Sequence, residues 1–365
     1  MAAESLLLDA AAVRSIVNEV GRDACMDALI SRLTAAIATL NPQQVQVPAR
    51  AGVAYTLPEW GLLEWMPAHF GLQGTTVKVV GYHPTNPERR HLPTVISTIY
   101  RFDSTSGHLV GILDGTFLTA LRTGASSAVA SRILAKPDSR TLGIVGCGAQ
   151  SVTQIHALSR VFQFERILAH DISADAAQSL RDRVAFLDVP VEVVPRTSLA
   201  TLLESSDILC TCTSAAPGEG PIFSDFNNRP HLHVNGVGSD FHGKFELPVT
   251  LLRRALVCPD FLEQARQEGE CQQLDVSEIG PDFTTIVKRS AEYEAARSAL
   301  TVFDSTGWAI EDHVVAAMMF EFASELGVGR TIALECLPPD PKDPYSLLHA
   351  DDHLAVAASV RADVV

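Results

Sequence analysis

Leu142-Gly143-Ile144-Val145-Gly146-Cys147-Gly148-Ala149-Gln150-Ser151 is the stretch on which the fold turns. An apolar run passes straight into a glycine pair and then into a helix-compatible segment through Leu158, the pattern of a strand, a tight turn and a helix N-terminus. Gly146 permits the turn, and Gly148 lets backbone approach a pyrophosphate. The first helical turn beyond it, opening at Ala149 and Gln150, aims unpaired N–H groups and a positive dipole end at that anion. A second apolar run, Arg166 to His170, ends on Asp171, where a carboxylate can accept both hydroxyls of an adenosine ribose. No Lys or Arg stands in Ile172 to Asp175, so a 2′-phosphate would meet repulsion. The expected cofactor is therefore NAD rather than NADP.

Working outward, alternating strand and helix signals continue through Val191–Val194, Leu199–Glu204, Ile208–Thr213, Leu232–Val237 and Ala255–Cys258. Such alternation favours a parallel, doubly wound sheet. Upstream, Ser5–Leu8 reads as a strand with Asp9 capping a helix over 10–20, followed by an amphipathic helix over 24–40. Strand-like segments fill residues 45–66, and Thr75–Gly81 is a β-branched run. Pro93–Phe102 and Leu109–Leu113 suit a hairpin. A helical pattern over 116–134 is interrupted by Gly124, and a last helix from Glu311 to Leu326 closes at Gly327. Glu311 and Asp312 suit the positive end of that helix. The expected class is α/β: a Rossmann-type doubly wound NAD-binding domain over 124–308, joined to a strand-rich α+β substrate and dimerisation domain. The latter comprises 1–123 and is completed by 309–350, with a flexible tail over 351–365.

With 365 residues, 47% of them apolar and 19% charged, the chain has the composition of an ordinary soluble globular protein of two domains. A formal charge of −15 argues against a nucleic-acid or anionic-membrane surface and leaves a small molecule as the expected partner. The seven cysteines show no paired metal-ligand spacing, so no metal is expected. The N-terminus lacks a basic leader and no apolar stretch reaches membrane-span length, which together predict a cytoplasmic protein with reduced thiols.

Several charges stand where a soluble fold would not choose them. Lys78 interrupts the β-branched strand, Glu64 sits inside Leu62-Leu63-Glu64-Trp65-Met66, and Arg50 and Arg122 precede the glycine loop. A buried charge is costly unless it is paired or faces a cleft. Converging cations would grip a carboxylate, and Glu64 could receive an ammonium group; each cation taken singly also suits a structural role. The stretch Gly236-Val237-Gly238-Ser239-Asp240 follows a parallel strand, and ligands of such sheets lie beyond strand carboxyl ends. Asp240 thus faces the nicotinamide end of the expected cleft, although an aspartate there also suits a turn cap. Lys244 and Glu246, just beyond it, suit a solvated surface pair equally well. His83 and His242 are weaker candidates for a general base.

These stretches together resemble the ornithine cyclodeaminase/μ-crystallin family over essentially the whole chain. The resemblance rests on Glu64–Pro67, Lys78 with Gly81–Asn86, Leu113–Gly115, Thr119–Ala125, Gly146–Gln150, Gly238–Glu246, Val302–Ser305 with Gly307, Glu311-Asp312 and Asp340–Asp343. The Asp-x-x-x-Lys-x-Glu pattern at Asp240 resembles the cyclodeaminase branch. The resemblance implies that Arg50, Lys78 and Arg122 hold a substrate α-carboxylate, that Glu64 and Thr94 line the substrate pocket, and that Asp240, with Lys78, is catalytic. It places NAD on Gly146, Gly148, Ala149, Gln150, Asp171, Thr213, Ser214, Val237 and Gly238, in a homodimer. The implied reaction is L-ornithine to L-proline and ammonia, by oxidation to an imine, cyclisation and return of the hydride. L-Lysine to L-pipecolate and net reduction of an imino acid by NAD(P)H are the alternatives.

Overall fold

The computed structural model describes residues 4–335 and 337–349. Cys336 and the expected tail at 351–365 lie outside the described residues. Fourteen strands follow one another before the last helix: β1 (Ser5–Leu8), β2 (Val45–Gln46), β3 (Ala51–Tyr55), β4 (Gly61–Phe70), β5 (Thr75–Tyr82), β6 (Val95–Phe102), β7 (Leu109–Asp114), then β8 (Thr141–Val145), β9 (Arg166–His170), β10 (Val191–Val193), β11 (Ile208–Thr211), β12 (His233–Gly236), β13 (Leu256–Pro259) and β14 (Thr301–Asp304). A fifteenth, β15 (Arg330–Ile332), follows that helix. Among the described residues they form two sheets.

The 8-stranded sheet runs β15-β1-β7-β6-β5-β4-β2, with β3 also paired to β4. Its hairpins are antiparallel, while β1 lies parallel to β7 and antiparallel to the returning β15. One face is covered by the Ala10–Val20, Arg22–Ala38 and Ala309–Leu326 helices, whose Ile16, Met26, Leu29, Leu33 and Met318 join Leu8, Ile99 and Leu113 in one core. Asp9 caps the first helix by accepting the N–H groups of Ala11 and Ala12.

The 7-stranded sheet runs β10-β9-β8-β11-β12-β14-β13, all parallel. Chain order reverses between β8 and β11. In a doubly wound sheet that reversal opens a crevice beyond the strand ends, and a dinucleotide lies across it. No described helix is long and apolar enough to cross a membrane.

The sequence predicts an interruption at Gly124. The structure instead has one uninterrupted helix, Thr116–Leu134, buried along nearly its whole length between the two sheets. The glycine serves close packing: a Cβ there would lie 2.4 Å from the carbonyl oxygen of Thr153, on the glycine-loop helix. Gly124→Ala must push two buried helices apart, and overpacking of that kind costs about 1–3 kcal/mol. Chemical denaturation should show the loss; an unchanged midpoint would mean that the helices yield freely.

Candidate active site

The glycine loop stands at the crevice. Strand β8 is buried at every position between β9 and β11, so it can end only by turning sharply outward. Gly146 makes that turn at φ +93°, and a Cβ there would lie 2.7 Å from the backbone of Cys212 beside it. At Gly148 an added Cβ would meet nothing within 4 Å. The helix beyond, Ala149–Ser159, has no side-chain cap, which leaves its first-turn N–H groups available to an anion. Asp171 accepts the N–H of Cys147 at 2.6 Å and that of Ser173 at 2.8 Å, so it braces the loop as well as ending β9. The sequence reading sees no cation nearby, yet Arg183 donates to the carbonyls of Cys147 at 2.7 Å and Gly148 at 3.2 Å. Its guanidinium is spent on backbone rather than offered to a phosphate. An open glycine apex, an uncapped helix end and a carboxylate at the next strand fit a dinucleotide.

A cavity of about 340 Å³ lies between the two sheets. Arg50, Glu64 and Lys78 line it from the side of the 8-stranded sheet and Arg122 from the Thr116–Leu134 helix; Gln150, Ser214, Val237, Asp240 and Lys244 line it from the side of the 7-stranded sheet. Strand alternation explains Glu64 and Lys78. On β4, Leu62, Glu64 and Met66 turn inward while Leu63 and Trp65 face out, and Lys78 takes the inward side of β5.

Each buried charge has a partner. Lys78 is 1% exposed, and its Nζ donates to Asp312 Oδ1 at 2.9 Å. Arg122 donates through Nη1 to Glu311 Oε2 at 2.6 Å, with its Nε 3.2 Å from Asp312 Oδ1. The two acids read from sequence as helix-end charges are thus fully buried counterions of the cavity cations. The legible clue was two adjacent carboxylates leading into the apolar run Val314–Phe320, because burial demands a cation for each. Arg50 pairs with Glu268, lies 3.5 Å from Glu64, and donates through Nη2 to the backbone oxygen of Asp240 at 2.9 Å. The Asp240 side chain is 35% exposed and accepts from Lys244 Nζ at 2.7 Å, and that ammonium lies over the Tyr82 ring. Lys244 is buried, so it is no surface residue.

Burial sets the proton affinities. It pulls Lys78 down to about 8, helped by Arg122 and opposed by Asp312. It pushes Glu64 up to about 7 against the attraction of Arg50. For Arg50, burial works against the charge, but Glu64, Glu268 and Asp240 outweigh it and keep the guanidinium protonated. The cavity therefore presents fixed cations beside a carboxyl that exchanges protons near neutral pH, in walls otherwise formed by Trp60, Leu62, Met66 and Phe241.

Five expected positions do not line the cavity. Thr94 precedes β6 and does not line the cavity; its carbonyl accepts the N–H of His83 at 2.8 Å, and Val95, first residue of the strand, takes the inward side. Gly238 spends its N–H on Glu246 Oε2 at 2.8 Å, and Thr213 likewise on Glu246 Oε1 at 2.7 Å. Those two N–H groups hold the loops in place and are committed within the protein. His83 bonds the Tyr55 hydroxyl and His242 the carbonyl of Gln267; neither lines the cavity. Glu268, Glu311 and Asp312 are the neighbours that the sequence reading missed as site residues.

The family model named Ornithine cyclodeaminase/mu-crystallin family matches residues 11–327. An L-lysine cyclodeaminase of Streptomyces rapamycinicus is 46% identical over 336 residues, 92% of this chain and 97% of that protein. A solved lysine cyclodeaminase, described with recognition of L-lysine, L-ornithine and L-2,4-diaminobutyric acid, superposes with a TM-score of 0.91 at 43% identity, covering 94% of this chain and 99% of that one. An archaeal alanine dehydrogenase dimer with bound NAD superposes with a TM-score of 0.79 at 29% identity, covering 90% and 99%.

Proposed function

Since this chain belongs to the ornithine cyclodeaminase/mu-crystallin family, we propose that it is an NAD-dependent cyclodeaminase converting L-lysine to L-pipecolate and ammonia. The sequence reading put L-ornithine first. The observation that reverses the order is 46% identity, over 97% of its length, with a protein named L-lysine cyclodeaminase. The chemistry of the cavity is compatible with either diamino acid: of its four cations Arg50, Lys78 and Arg122 can take the carboxylate, of its three acids Glu64 and Asp240 can take the amines, and apolar side chains can flank the methylenes between.

In this reading Gly148, the Ala149–Ser159 helix end and Asp171 hold NAD, with Ser214 and Val237 beside its nicotinamide half. Bound there, the nicotinamide would supply a reversible hydride acceptor at the substrate Cα and would return the hydride to the cyclic imine, so no lasting NADH is expected. Arg50, Lys78 and Arg122 grip the α-carboxylate, and their own counterions offset the repulsion among the three cations. Glu64 removes the proton that the α-ammonium must lose before its carbon can be oxidised, a task suited to a carboxyl near 7. Asp240 takes the proton of the side-chain amine as it attacks the imine carbon and returns one to the departing ammonia. Fixing Cα by its carboxylate is an orientation effect, several kcal/mol out of the roughly 7–11 available to ideal proximity.

The purified protein, supplied with NAD⁺ and either diamino acid, is expected to release pipecolate and ammonia in equal amounts from L-lysine without lasting NADH absorbance. One methylene in an apolar pocket is worth about 10–200-fold, which bounds the expected preference over L-ornithine. A preference for ornithine would restore the original order. Accumulating NADH from either substrate would replace cyclodeamination by dehydrogenase or reductase chemistry.

The outer face of the first sheet supports a homodimer in the same reading. Val53, Leu63, Trp65 and Ile96 are each between 41% and 55% exposed there, on β3, β4 and, across β5, β6. Light scattering is expected to give twice the chain mass, and Trp65→Glu to give the chain mass; a wild-type monomer would remove the dimer from the proposal.

A further inference from the structure

The loops after β11 and β12 carry Ser214 and Val237 to the cavity, and one carboxylate joins them. Glu246 is fully buried, with Oε1 accepting the N–H of Thr213 at 2.7 Å and Oε2 that of Gly238 at 2.8 Å. The junction is tight, since a Cβ on Gly238 would lie 2.4 Å from Glu246 Oε1. Glu246 is itself held by a second buried acid: Glu270 accepts the N–H of Glu246 at 2.7 Å and of Leu247 at 3.2 Å. Glu270 is held by a third, Asp304 at the end of β14, which accepts the N–H groups of Glu270 at 2.9 Å and Cys271 at 2.8 Å. Each carboxylate thus grips the backbone of the next acid, and the series ends on the two loops.

Burial pushes all three carboxyls upward, against the backbone donors gathered around them. Apolar side chains would fill the same volume without that desolvation cost. What a carboxylate adds is geometry, two acceptor oxygens at a fixed separation. Here they hold the loops of two different strands at one distance. In a doubly wound sheet the adenosine half of a dinucleotide lies on the β8 and β9 side of the crevice, where Asp171 stands. The other half crosses to the β11 and β12 side.

We propose that Glu246 is a positioning residue for the nicotinamide half of the cofactor: by catching Thr213 and Gly238 on one carboxylate it sets the separation of the two loops beside that half, and Glu270 and Asp304 register it to the end of β14. The proposal rests on the NAD reading above.

The test compares binding of NAD with binding of ADP, which has the adenosine and pyrophosphate but no nicotinamide, by calorimetry on wild type and Glu246→Gln. Glutamine keeps the size but turns an NH₂ toward one of the two backbone donors, forfeiting a hydrogen bond to a charged acceptor. NAD affinity is expected to fall about tenfold or more, with ADP affinity unchanged. Equal losses for both ligands, or no loss for either, would overturn the role assigned to Glu246. If Glu246→Gln does not fold, Glu270→Gln one link back carries the same test, with a smaller selective loss expected and an equal loss overturning it. A wild-type protein that binds neither NAD nor ADP overturns the cofactor reading itself, an outcome distinct from both.

Discussion

Asp240→Asn is expected to lower turnover by roughly 10²–10⁴-fold, the usual contribution of one positioned acid–base group, and to leave NAD affinity intact. The side chain stands on the loop after β12, with Oδ1 held by Lys244 at 2.7 Å and the group as a whole 35% exposed. Asparagine preserves an oxygen for Lys244 but can neither take a proton from an attacking amine nor return one to ammonia. The contacts that ready the glycine loop, Asp171 to Cys147 and Arg183 to the Cys147 and Gly148 carbonyls, lie on the opposite side of the crevice and are untouched. Lys244 keeps an oxygen to bond but loses the charge opposite it, and the partial exposure of that group limits the cost to about 1 kcal/mol, below the 3–5 of a fully buried pair. Steady-state kinetics and NAD titration on the same preparation decide the matter. Loss of NAD affinity in parallel with turnover would recast Asp240 as a structural turn residue.

Arg122→Met is expected to be the most destabilising change in the cavity, and to abolish turnover with it. The guanidinium is 5% exposed and its partners Glu311 and Asp312 are fully buried. Removing one member of such a group leaves a charge buried without compensation, at about 3–5 kcal/mol. The loss depends on pH in a definite direction. Burial already pushes Glu311 up to about 7, above its ordinary value of 4.5, with Arg122 opposing the rise. A carboxyl whose folded value is raised contributes its full stability below the unfolded value and loses it as pH climbs through the folded one. Below about 7 Glu311 takes up a proton in both proteins, and the missing cation matters least. The stability gap should therefore widen from about pH 6 to about pH 8. Urea midpoints at both pH values measure it; a gap that is constant, or wider in acid, would show that Glu311 is not the group left stranded.

The cofactor half of the site was the more legible because a βαβ unit is local. Strand, glycine turn, helix and the closing Asp171 follow one another without interruption, so their order in the chain is nearly their order in space. Even there, Arg183 escaped notice: it is a helix away in sequence and folds back under the loop. Lys78, Glu64 and Arg122 could be singled out because the cost of burying a charge is a property of the residue and its neighbours in the chain. Their partners could not. Asp312 stands 234 residues from Lys78 and Glu311 stands 189 from Arg122, and only packing of the last helix against β5 and the Thr116–Leu134 helix brings them together. Thr94 failed by one residue, because where β6 begins decides that Val95, and not Thr94, faces inward. Gly124 reads locally as a helix breaker, whereas the buried helix that needs its missing side chain lies elsewhere in the chain.

By itself the sequence determined the class of fold, the place of the glycine loop and three of the four cavity cations, since period, turn chemistry and charge burial are written in adjacent residues. Only the tertiary structure decided which acids neutralise those cations, which strand face turns inward, and how Glu246 joins two loops. Those are pairings between distant segments, and their energies exist only once the segments are packed and water is excluded.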